Sequence, residues 1–282
     1  MPIILSCRRA AKWRPLFAIV SILIGLAGGR AGSSGTGGST AMPLLNTQEF
    51  SIAVCDGMTI RKNPTTQLEI TYKQWPGNVF LLWFPEIVGP FWNQWTPEVA
   101  HQDFEVSGND KIRWVFDKSP DVHIEAVLKV NGSTLVLEVR ITNRSGKEIR
   151  ADAAGKNGSS LCPQNCFHLS AAPDFACEDF TRVFIRVNGR WRSLSSLSPG
   201  TSAAVYCRPG FLEDKRSMLW NVGVADFVQE QRADHPMIVC VSKDRQRAVA
   251  TASEDYECVF HNSGVKYLLC IHSQQTPVAK LA

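Results

Sequence analysis

The sequence predicts an all-β protein, built as a large antiparallel β-sandwich. Helical periodicity is scarce from residue 46 onward, and short runs of β-branched and aromatic residues recur instead. Gly, Pro, Asn and Asp divide these runs, as they do between neighbouring strands. Many short strands separated by turn residues are typical of a sandwich or a barrel. Examples of the runs are QLEITYK, NVFLLWF, KIRWVF, TRVFIRV, SMLWNVGV, MIVCVS and KYLLCIH.

The N-terminus, residues 1–29, predicts an export signal. A basic stretch, CRRAAKWRP, precedes the apolar run LFAIVSILIGLAGG, which is shorter than the ~20 residues that cross a bilayer. This arrangement favours a cleaved signal peptide, with a short membrane anchor as the alternative because no A-x-A cleavage site follows. A further alternative is that translation begins at Met42. After the export signal, residues 30–45 are predicted to be a flexible Gly/Ser linker. Residues 46–282 are predicted to form a single β-sandwich domain. The protein is expected to be exported, either to the periplasm or out of the cell.

Charge and motifs argue against several classes of function. The formal net charge is +4, and much of the excess lies at Arg8, Arg9, Lys12 and Arg14. No stripe of Lys and Arg follows, so no nucleic-acid partner is predicted. The chain has no G-x-S-x-G motif, no Walker-type glycine loop and no G-x-G-x-x-G after a strand. These absences argue against common α/β hydrolases, kinases and nicotinamide enzymes, and no cofactor is predicted.

The segment 83–104, WFPEIVGPFWNQWTPEVAHQDF, combines clustered aromatic residues with three prolines. Prolines are rare in central strands, so most of this segment is predicted to be loop, where binding residues concentrate. An indole ring offers an apolar surface on which a sugar ring can lie, so Trp92 and Trp95 are candidate sugar-binding residues. His101 follows them and is a candidate to close over a ligand. The alternative is that these aromatic side chains plug the end of the sandwich.

The clearest strand pair is the hairpin DVHIEAVLKVNGSTLVLEVRIT, residues 121–142. The Asn-Gly dipeptide at 131–132 favours a two-residue type I′ turn, because both positions need positive φ. With this turn Leu128 faces Leu135, and one face of the hairpin is almost wholly apolar. A shift of the register by one residue would move the apolar side chains of one strand to the opposite face. A second Asn-Gly dipeptide, at 188–189, predicts another hairpin.

The same register places charged residues on the other face of the hairpin. It pairs Glu125 with Glu138 and His123 with Arg140. One interpretation is a solvated face on which the basic groups bridge the two carboxylates. The other is a concave binding face, where close carboxylates push their pKa values apart and so suit acid–base chemistry. On that second interpretation Glu125 and Glu138 are candidate catalytic residues, and Arg140 is a candidate substrate-binding residue.

The segment NCFHLSAAPDF, residues 165–175, supplies the remaining candidates. His168 lies between Phe167 and Leu169, so in a strand its side chain points away from theirs. If those two are buried in the core, His168 reaches the opposite face of the sheet, where it is a candidate catalytic acid. The alternative is a structural histidine. Asp174, beside a proline, is a candidate substrate-binding carboxylate.

Cysteine spacing is compatible with disulfides and offers a looser metal alternative. Removal of Cys7 with the signal leaves an even number, and we expect at most one or two bridges, most readily within 162–177. A zinc site would draw ligands from CPQNC, His168 and Cys177 and from a second pair, Cys270 and His272. One residue separates Cys270 from His272, so both side chains would lie on the same face of a strand. Because disulfides compete with metal binding in an exported protein, no metal site is predicted. The remaining cysteines are Cys55, Cys162, Cys166, Cys177, Cys207, Cys240, Cys258 and Cys270.

Two segments resemble a known family. NGSTLVLEVRITNRSGKEI resembles the middle of a galactose-mutarotase-like β-supersandwich, where a strand of the form L-x-L-x-V-x-I-x-N-x-S precedes a histidine-containing sugar-site segment. NCFHLSAAPDF occupies the place of that segment. The chain from 233 to 273 resembles the closing strands of uncharacterised exported bacterial β-proteins. Two features depart from the epimerases of this fold: the histidine of NCFHLS is displaced from its H-x-Y-F-N-L position, and Glu254 and Glu257 have no recognisable base context.

The resemblance implies a supersandwich that recognises a mono- or oligosaccharide on a concave sheet face. The resemblance also implies epimerase-like or lyase-like proton transfer, with His168 and one of Glu125 or Glu138 as the acid and the base. The alternative is a non-catalytic envelope or interaction protein that retains only the fold, because fold does not imply function. Contact with a membrane is expected only through an uncleaved N-terminal segment.

Overall fold

A computed structural model describes residues 16–26, 57–62, 68–88, 92–93, 104–108, 110–117, 119–131, 133–150, 163–211, 227–253, 256–262, 269–275 and 280–281. These residues form strands and one short helix. The elements are β1 Leu16–Leu26, β2 Met58–Lys62, β3 Leu68–Tyr72, β4 Val79–Val88, β5 Trp92–Asn93, β6 Phe104–Ser107, β7 Lys111–Phe116, β8 Val122–Asn131, β9 Thr134–Asn143, β10 Ile149–Arg150, β11 Pro163–His168, β12 Val183–Val187, β13 Arg190–Ser193, α1 Leu194–Leu197, β14 Ala203–Cys207, β15 Met237–Val241, β16 Arg247–Ser253, β17 Tyr256–Asn262, β18 Cys270–Gln275 and β19 Lys280–Leu281.

The strands form two large antiparallel sheets and one small one. The nine-stranded sheet has the order β13-β12-β15-β16-β1-β9-β8-β7-β6. The eight-stranded sheet has the order β14-β17-β18-β11-β4-β3-β2, with β5 paired to β4, and β10 pairs with β19. The predicted all-β, antiparallel sandwich is confirmed. Within the described residues, no helix is long and apolar enough to cross a membrane.

The core lies between the two large sheets and follows from alternation along each strand. In β3 and β12, buried and half-buried residues alternate strictly, as expected where one face of a strand is covered and successive side chains point to opposite faces. Both sheets contribute to one cluster of buried side chains, which include Ile60, Leu68, Ile70, Phe80, Phe167, Ile271, Ile112, Ile124, Leu128, Leu137 and Val139.

The hairpin of β8 and β9 keeps its predicted apolar face but not its predicted register. Leu128 faces Leu137 rather than Leu135, and Asn131 pairs with Thr134. The predicted opposition of Glu125 and Glu138 is therefore wrong. Glu125 faces Arg140, and His123, predicted opposite Arg140, faces Thr142. A shift of two residues leaves every side chain on its own face, so the apolar pattern does not distinguish these two registers.

The second predicted hairpin is confirmed. Val187 pairs with Arg190, which leaves Asn188 and Gly189 as the turn between β12 and β13. Their φ angles are 51° and 74°, the positive values that a type I′ turn requires.

The apolar run of the predicted export signal forms β1, inside the nine-stranded sheet. Its first half pairs with β9, where Leu16 faces Ile141, and its second half pairs with β16, where Leu26 faces Arg247. Cleavage near residue 29 would remove this strand. The export signal and its Gly/Ser linker stay predictions, and the two roles of this segment are separable by experiment.

Candidate metal centre

The candidate site lies on the outer face of the eight-stranded sheet, where β11 and β18 run side by side. β11 ends in Cys166-Phe167-His168 and β18 begins with Cys270-Ile271-His272, and the central residues of the two triplets face each other. Phe167 and Ile271 belong to the main core. Because side chains alternate along a strand, the flanking cysteines and histidines all point to the opposite face.

The sulfur and nitrogen atoms of these side chains converge. One ligand atom from each of Cys166, Cys270 and His272 lies within 4.8 Å of the others. His272 Nε2 is 2.8 Å from the Cys270 sulfur and 3.5 Å from the Cys166 sulfur. His168 joins the group at its edge, with Nε2 3.0 Å from the Cys166 sulfur. We refer to these four side chains as the Cys/His cluster.

The Cys/His cluster is closed to solvent. Its four members are only 1–3% exposed. The Trp83 ring meets the His168 ring edge-on with centroids 4.3 Å apart, and the Phe260 ring stacks on His272 at 4.1 Å. These aromatic contacts hold both imidazoles in place, so the cluster is a rigid group of donors rather than a surface patch.

A buried carboxylate lies behind His272. Glu86, on β4, has Oε2 3.8 Å from Nδ1 of His272, on the side of the ring away from the cysteines. In metal sites, a ligating histidine commonly turns its other ring nitrogen to a carboxylate, which fixes the tautomer and raises the basicity of the ligating nitrogen. Oε2 of Glu86 thus faces the ring nitrogen opposite the one that contacts the two sulfurs.

The electrostatics of the cluster differ between its two cysteines. Burial, with the hydrogen bond to the Cys270 sulfur, raises the pKa of the Cys166 thiol. Burial opposes ionisation of Cys270 too, but the Cys166 hydrogen bond and the His272 ring outweigh it and hold the pKa of the Cys270 thiol well below its ordinary value. Burial lowers the pKa of His168 to about 4. A thiolate at Cys270 and a neutral imidazole at His168 are the forms that bind a transition metal.

The structure separates His168 from its predicted carboxylate partners. Glu125 and Glu138 lie on the outer face of the nine-stranded sheet, opposite in direction to the core residues of the same strands. Glu125 accepts a hydrogen bond from Arg113 at 2.6 Å, and Glu138 accepts one from Lys129 at 2.7 Å. His168 lies on the outer face of the other sheet. The three predicted catalytic residues therefore do not meet in one site.

Of the predicted binding residues, the structure describes the side chains of Asp174 and Arg140. Asp174 accepts hydrogen bonds from Asn78, just before β4, at 3.0 Å and from Arg247, at the start of β16, at 2.9 Å. Arg140 is exposed beside Glu125. Trp92 lies in β5, and its side chain is outside the described part of the chain. Trp95 and His101 are also outside the described residues.

The sequence placed Cys270 and His272 together with His168 but did not predict a metal site, because disulfides compete with metal binding in an exported protein. Cys177 lies elsewhere, with its sulfur 3.1 Å from Asp179, and Cys162 is outside the described residues. The six described cysteines are thiols, not disulfides. The usable signal was the triplet Cys-x-His, which occurs at the end of one strand-like run and again in another. Glu86 carried no comparable signal, because it lies within an aromatic, proline-containing segment.

Comparisons with protein-family models, with curated proteins and with solved structures found no match to this chain. The chemistry of the Cys/His cluster is therefore argued from its geometry.

Proposed function

We propose that this protein binds one transition-metal ion of the zinc or copper class through Cys166, Cys270 and His272, with His168 as a fourth ligand. The observation that carries the proposal is the convergence of the ligand atoms of Cys166, Cys270 and His272 within 4.8 Å at a buried site, with His168 Nε2 3.0 Å from the Cys166 sulfur. A bound metal would replace the contacts that these side chains make with one another.

The donor set selects the class of metal. Thiolate and imidazole ligands suit zinc and copper, whereas calcium and magnesium require oxygen ligands. Zinc bonds of ~2.3 Å to sulfur and ~2.0 Å to nitrogen place tetrahedral ligand atoms roughly 3.5 Å apart. The distances of 2.8 and 3.5 Å from His272 Nε2 to the two sulfurs are each within an ångström of that separation.

A structural role follows from the number and burial of the ligands. Two cysteines and two histidines make a closed four-ligand set, which is the arrangement of structural zinc sites, whereas catalytic sites keep one position open. The ion would cross-link β11 and β18 on the face of the sheet opposite the core. In that role it stabilises the sandwich in addition to the hydrogen bonds of the two strands.

The test is the metal content and thermal stability of the purified full chain. We expect about one zinc or copper ion per chain by inductively coupled plasma mass spectrometry, and a lower Tm after removal of the metal with a chelator. Cobalt added to the stripped protein should give thiolate-to-cobalt charge-transfer absorption. Cys166→Ser and Cys270→Ser should each lower the metal affinity at least tenfold.

Cys240→Ser is the matched control, because Cys240 is equally buried but belongs to the inner core and donates to the carbonyl of Phe175. This variant should keep the metal and the cobalt spectrum. A metal-free wild-type chain that neither binds cobalt nor responds to chelator would contradict the proposal. So would equal loss of metal in all three cysteine variants when circular dichroism shows that each is folded, since Cys240 would then matter as much as the proposed ligands.

The distance from Cys270 to His272 also favours a second candidate, a cysteine nucleophile activated by His272 and oriented by Glu86. Such an enzyme needs an opening for its substrate, and these three side chains are buried, which makes the metal the better candidate. Iodoacetamide separates the two. A metal-bound Cys270 is protected until a chelator is added, whereas a nucleophilic thiolate is alkylated without one.

Carbohydrate recognition with acid–base proton transfer remains a separate proposal, supported by the resemblance of the sequence to a sugar-binding family. Its alternative, a non-catalytic envelope or interaction protein, is the more compatible with a structural metal. A structural metal does not require a substrate, and its ligands include the histidine that the sugar chemistry would use.

A further inference from the structure

A second pair of cysteines lies on the same outer face. Cys207, at the end of β14, stands directly opposite Cys258 on β17. Both are fully buried, at 0% exposure, in a cluster with Val205, Phe211 and Phe260. Among the six described cysteines, no other two are opposite each other in a strand pairing. Cys207 and Cys258 are therefore direct cross-strand partners, whereas the two cysteines of the Cys/His cluster are not.

The backbone hydrogen bonds show which type of pair this is. The carbonyl of Cys207 accepts from the amide of Ala233, on the side of β14 away from β17. The next residue, Arg208, donates its amide to the carbonyl of Glu257. In an antiparallel ladder the two kinds of position alternate, so Cys207 and Cys258 form a pair without hydrogen bonds between them.

Such a pair brings its side chains close together. Opposite residues in a non-hydrogen-bonded pair have Cα atoms about 4.5 Å apart and side chains closer than in the hydrogen-bonded pairs. Disulfides span Cα separations of roughly 4.4–6.8 Å. The backbone positions expected for such a pair are therefore compatible with a disulfide.

We propose that Cys207 and Cys258 form a cross-strand disulfide when the chain folds in the presence of a disulfide oxidant such as glutathione disulfide. One cysteine thiolate attacks the oxidant, breaks its S–S bond and releases one glutathione thiolate. The other cysteine thiolate then attacks the mixed disulfide, forms the Cys207–Cys258 bond and releases the second glutathione. The two cysteines lose two protons and two electrons, and the oxidant is reduced to two thiols.

The disulfide is independent of the proposed metal. In the register of β11 and β18, Cys270 faces His168, so Cys166 and Cys270 are diagonal neighbours rather than direct partners. The oxidised chain therefore keeps Cys166 and Cys270 as thiol ligands while Cys207 and Cys258 are bonded. Phe260, which belongs to the cluster around Cys258, stacks on His272 and separates the two groups.

The experiment is peptide mapping of the full chain after refolding in a glutathione redox buffer that contains zinc. Remaining thiols are alkylated with iodoacetamide under denaturing conditions before digestion and mass spectrometry. We expect one cross-linked peptide pair joining Cys207 to Cys258, with Cys166 and Cys270 alkylated. The Tm should fall by several degrees when dithiothreitol is added, because the bond restricts the unfolded chain.

Cys207→Ser should abolish both the cross-linked peptide and the effect of dithiothreitol, while Cys240→Ser should keep both. Alkylation of Cys207 and Cys258 in the oxidised wild-type chain would overturn the proposal, as would a bond from either of them to another cysteine. The wild-type map decides the matter even if Cys207→Ser fails to fold. Metal content measured on the same sample reports separately on the Cys/His cluster.

Discussion

At the scale of single residues, the ring of His272 lies between the carboxylate of Glu86 and the two sulfurs. The carboxylate lies 3.8 Å from Nδ1 and the two sulfurs lie near Nε2, so the imidazole has a defined direction. An imidazole held in one orientation loses little rotational freedom when it binds a metal, so binding costs less conformational entropy. The residue that orients a ligand is thus as much a part of the site as the ligand.

Glu86→Gln should weaken metal binding about 10- to 100-fold, the usual effect of losing an outer-shell partner of a ligating histidine. The amide keeps the size of the side chain, so the fold should persist. The measurement is competition for zinc between the stripped protein and a chromophoric chelator. Glu138→Gln, on the outer face of the other sheet, is the control and should bind zinc as the wild type does. Equal affinities in all three proteins would remove Glu86 from the site.

His261 is a residue whose burial makes the protein sensitive to acid. Neither ring nitrogen has a hydrogen-bond partner among the described residues, and the centroid of the ring lies 3.7 Å from that of the Phe180 ring. Burial, with a smaller effect of His272, lowers the pKa of His261 to about 3. Below pH ~6.5 this histidine is protonated in the unfolded chain but stays neutral in the folded chain. The free energy of unfolding therefore falls as the pH drops toward 3.

His261→Leu should remove this dependence. At pH 7 the free energy of unfolding should stay the same or rise, because an apolar side chain replaces a buried polar group. At pH 4.5 the variant should be more stable than the wild type by about 1–3 kcal/mol, since each pKa unit is worth ~1.4 kcal/mol. Urea denaturation at both pH values measures the difference. Parallel loss of stability in the two proteins would show that His261 is not the group responsible.

At the scale of elements, β1 connects the two halves of the nine-stranded sheet. β9 and β16 pair with β1 and not with each other, so its removal leaves two strand edges in the middle of the sheet. Open edges of that kind invite aggregation. The same residues make up the apolar run of the predicted signal peptide, which gives this segment two incompatible roles in a mature chain.

A chain that begins at Met42 distinguishes these roles. If β1 is integral to the sheet, the shortened protein should lose cooperative thermal unfolding or aggregate. If the N-terminal run is only an export signal, the shortened protein should match the Tm of the full chain. N-terminal sequencing of the protein recovered outside the cytoplasm of an expressing bacterium then shows whether cleavage occurs.

At the scale of the whole molecule, the sandwich places its two polar sites on opposite outer faces. The ion pairs of Glu125 and Glu138 lie outside the nine-stranded sheet, and the Cys/His cluster lies outside the eight-stranded sheet. The thickness of the core separates them, about 10 Å between packed sheets before side chains are counted. Acid–base cooperation between His168 and these glutamates therefore requires a different arrangement of the sheets.

The sequence by itself determined the fold class, the apolar face of the β8–β9 hairpin and the turn at Asn188-Gly189. These features depend on alternation along a strand and on the φ preferences of Asn and Gly, which are local properties. The sequence also indicated that His168 points away from the core, because Phe167 and Leu169 flank it.

Only the tertiary structure decided which residues His168 would meet. Strand order and register, not local pattern, bring Cys166 beside His272 across more than a hundred residues of chain. The same is true of Glu86, which reaches His272 from β4, and of Cys207, which reaches Cys258 across the β14–β17 ladder. A two-residue change of register alters every cross-strand partner while leaving each face unchanged. Cross-strand partners, and with them the chemistry of a site, therefore depend on the assembled sheet.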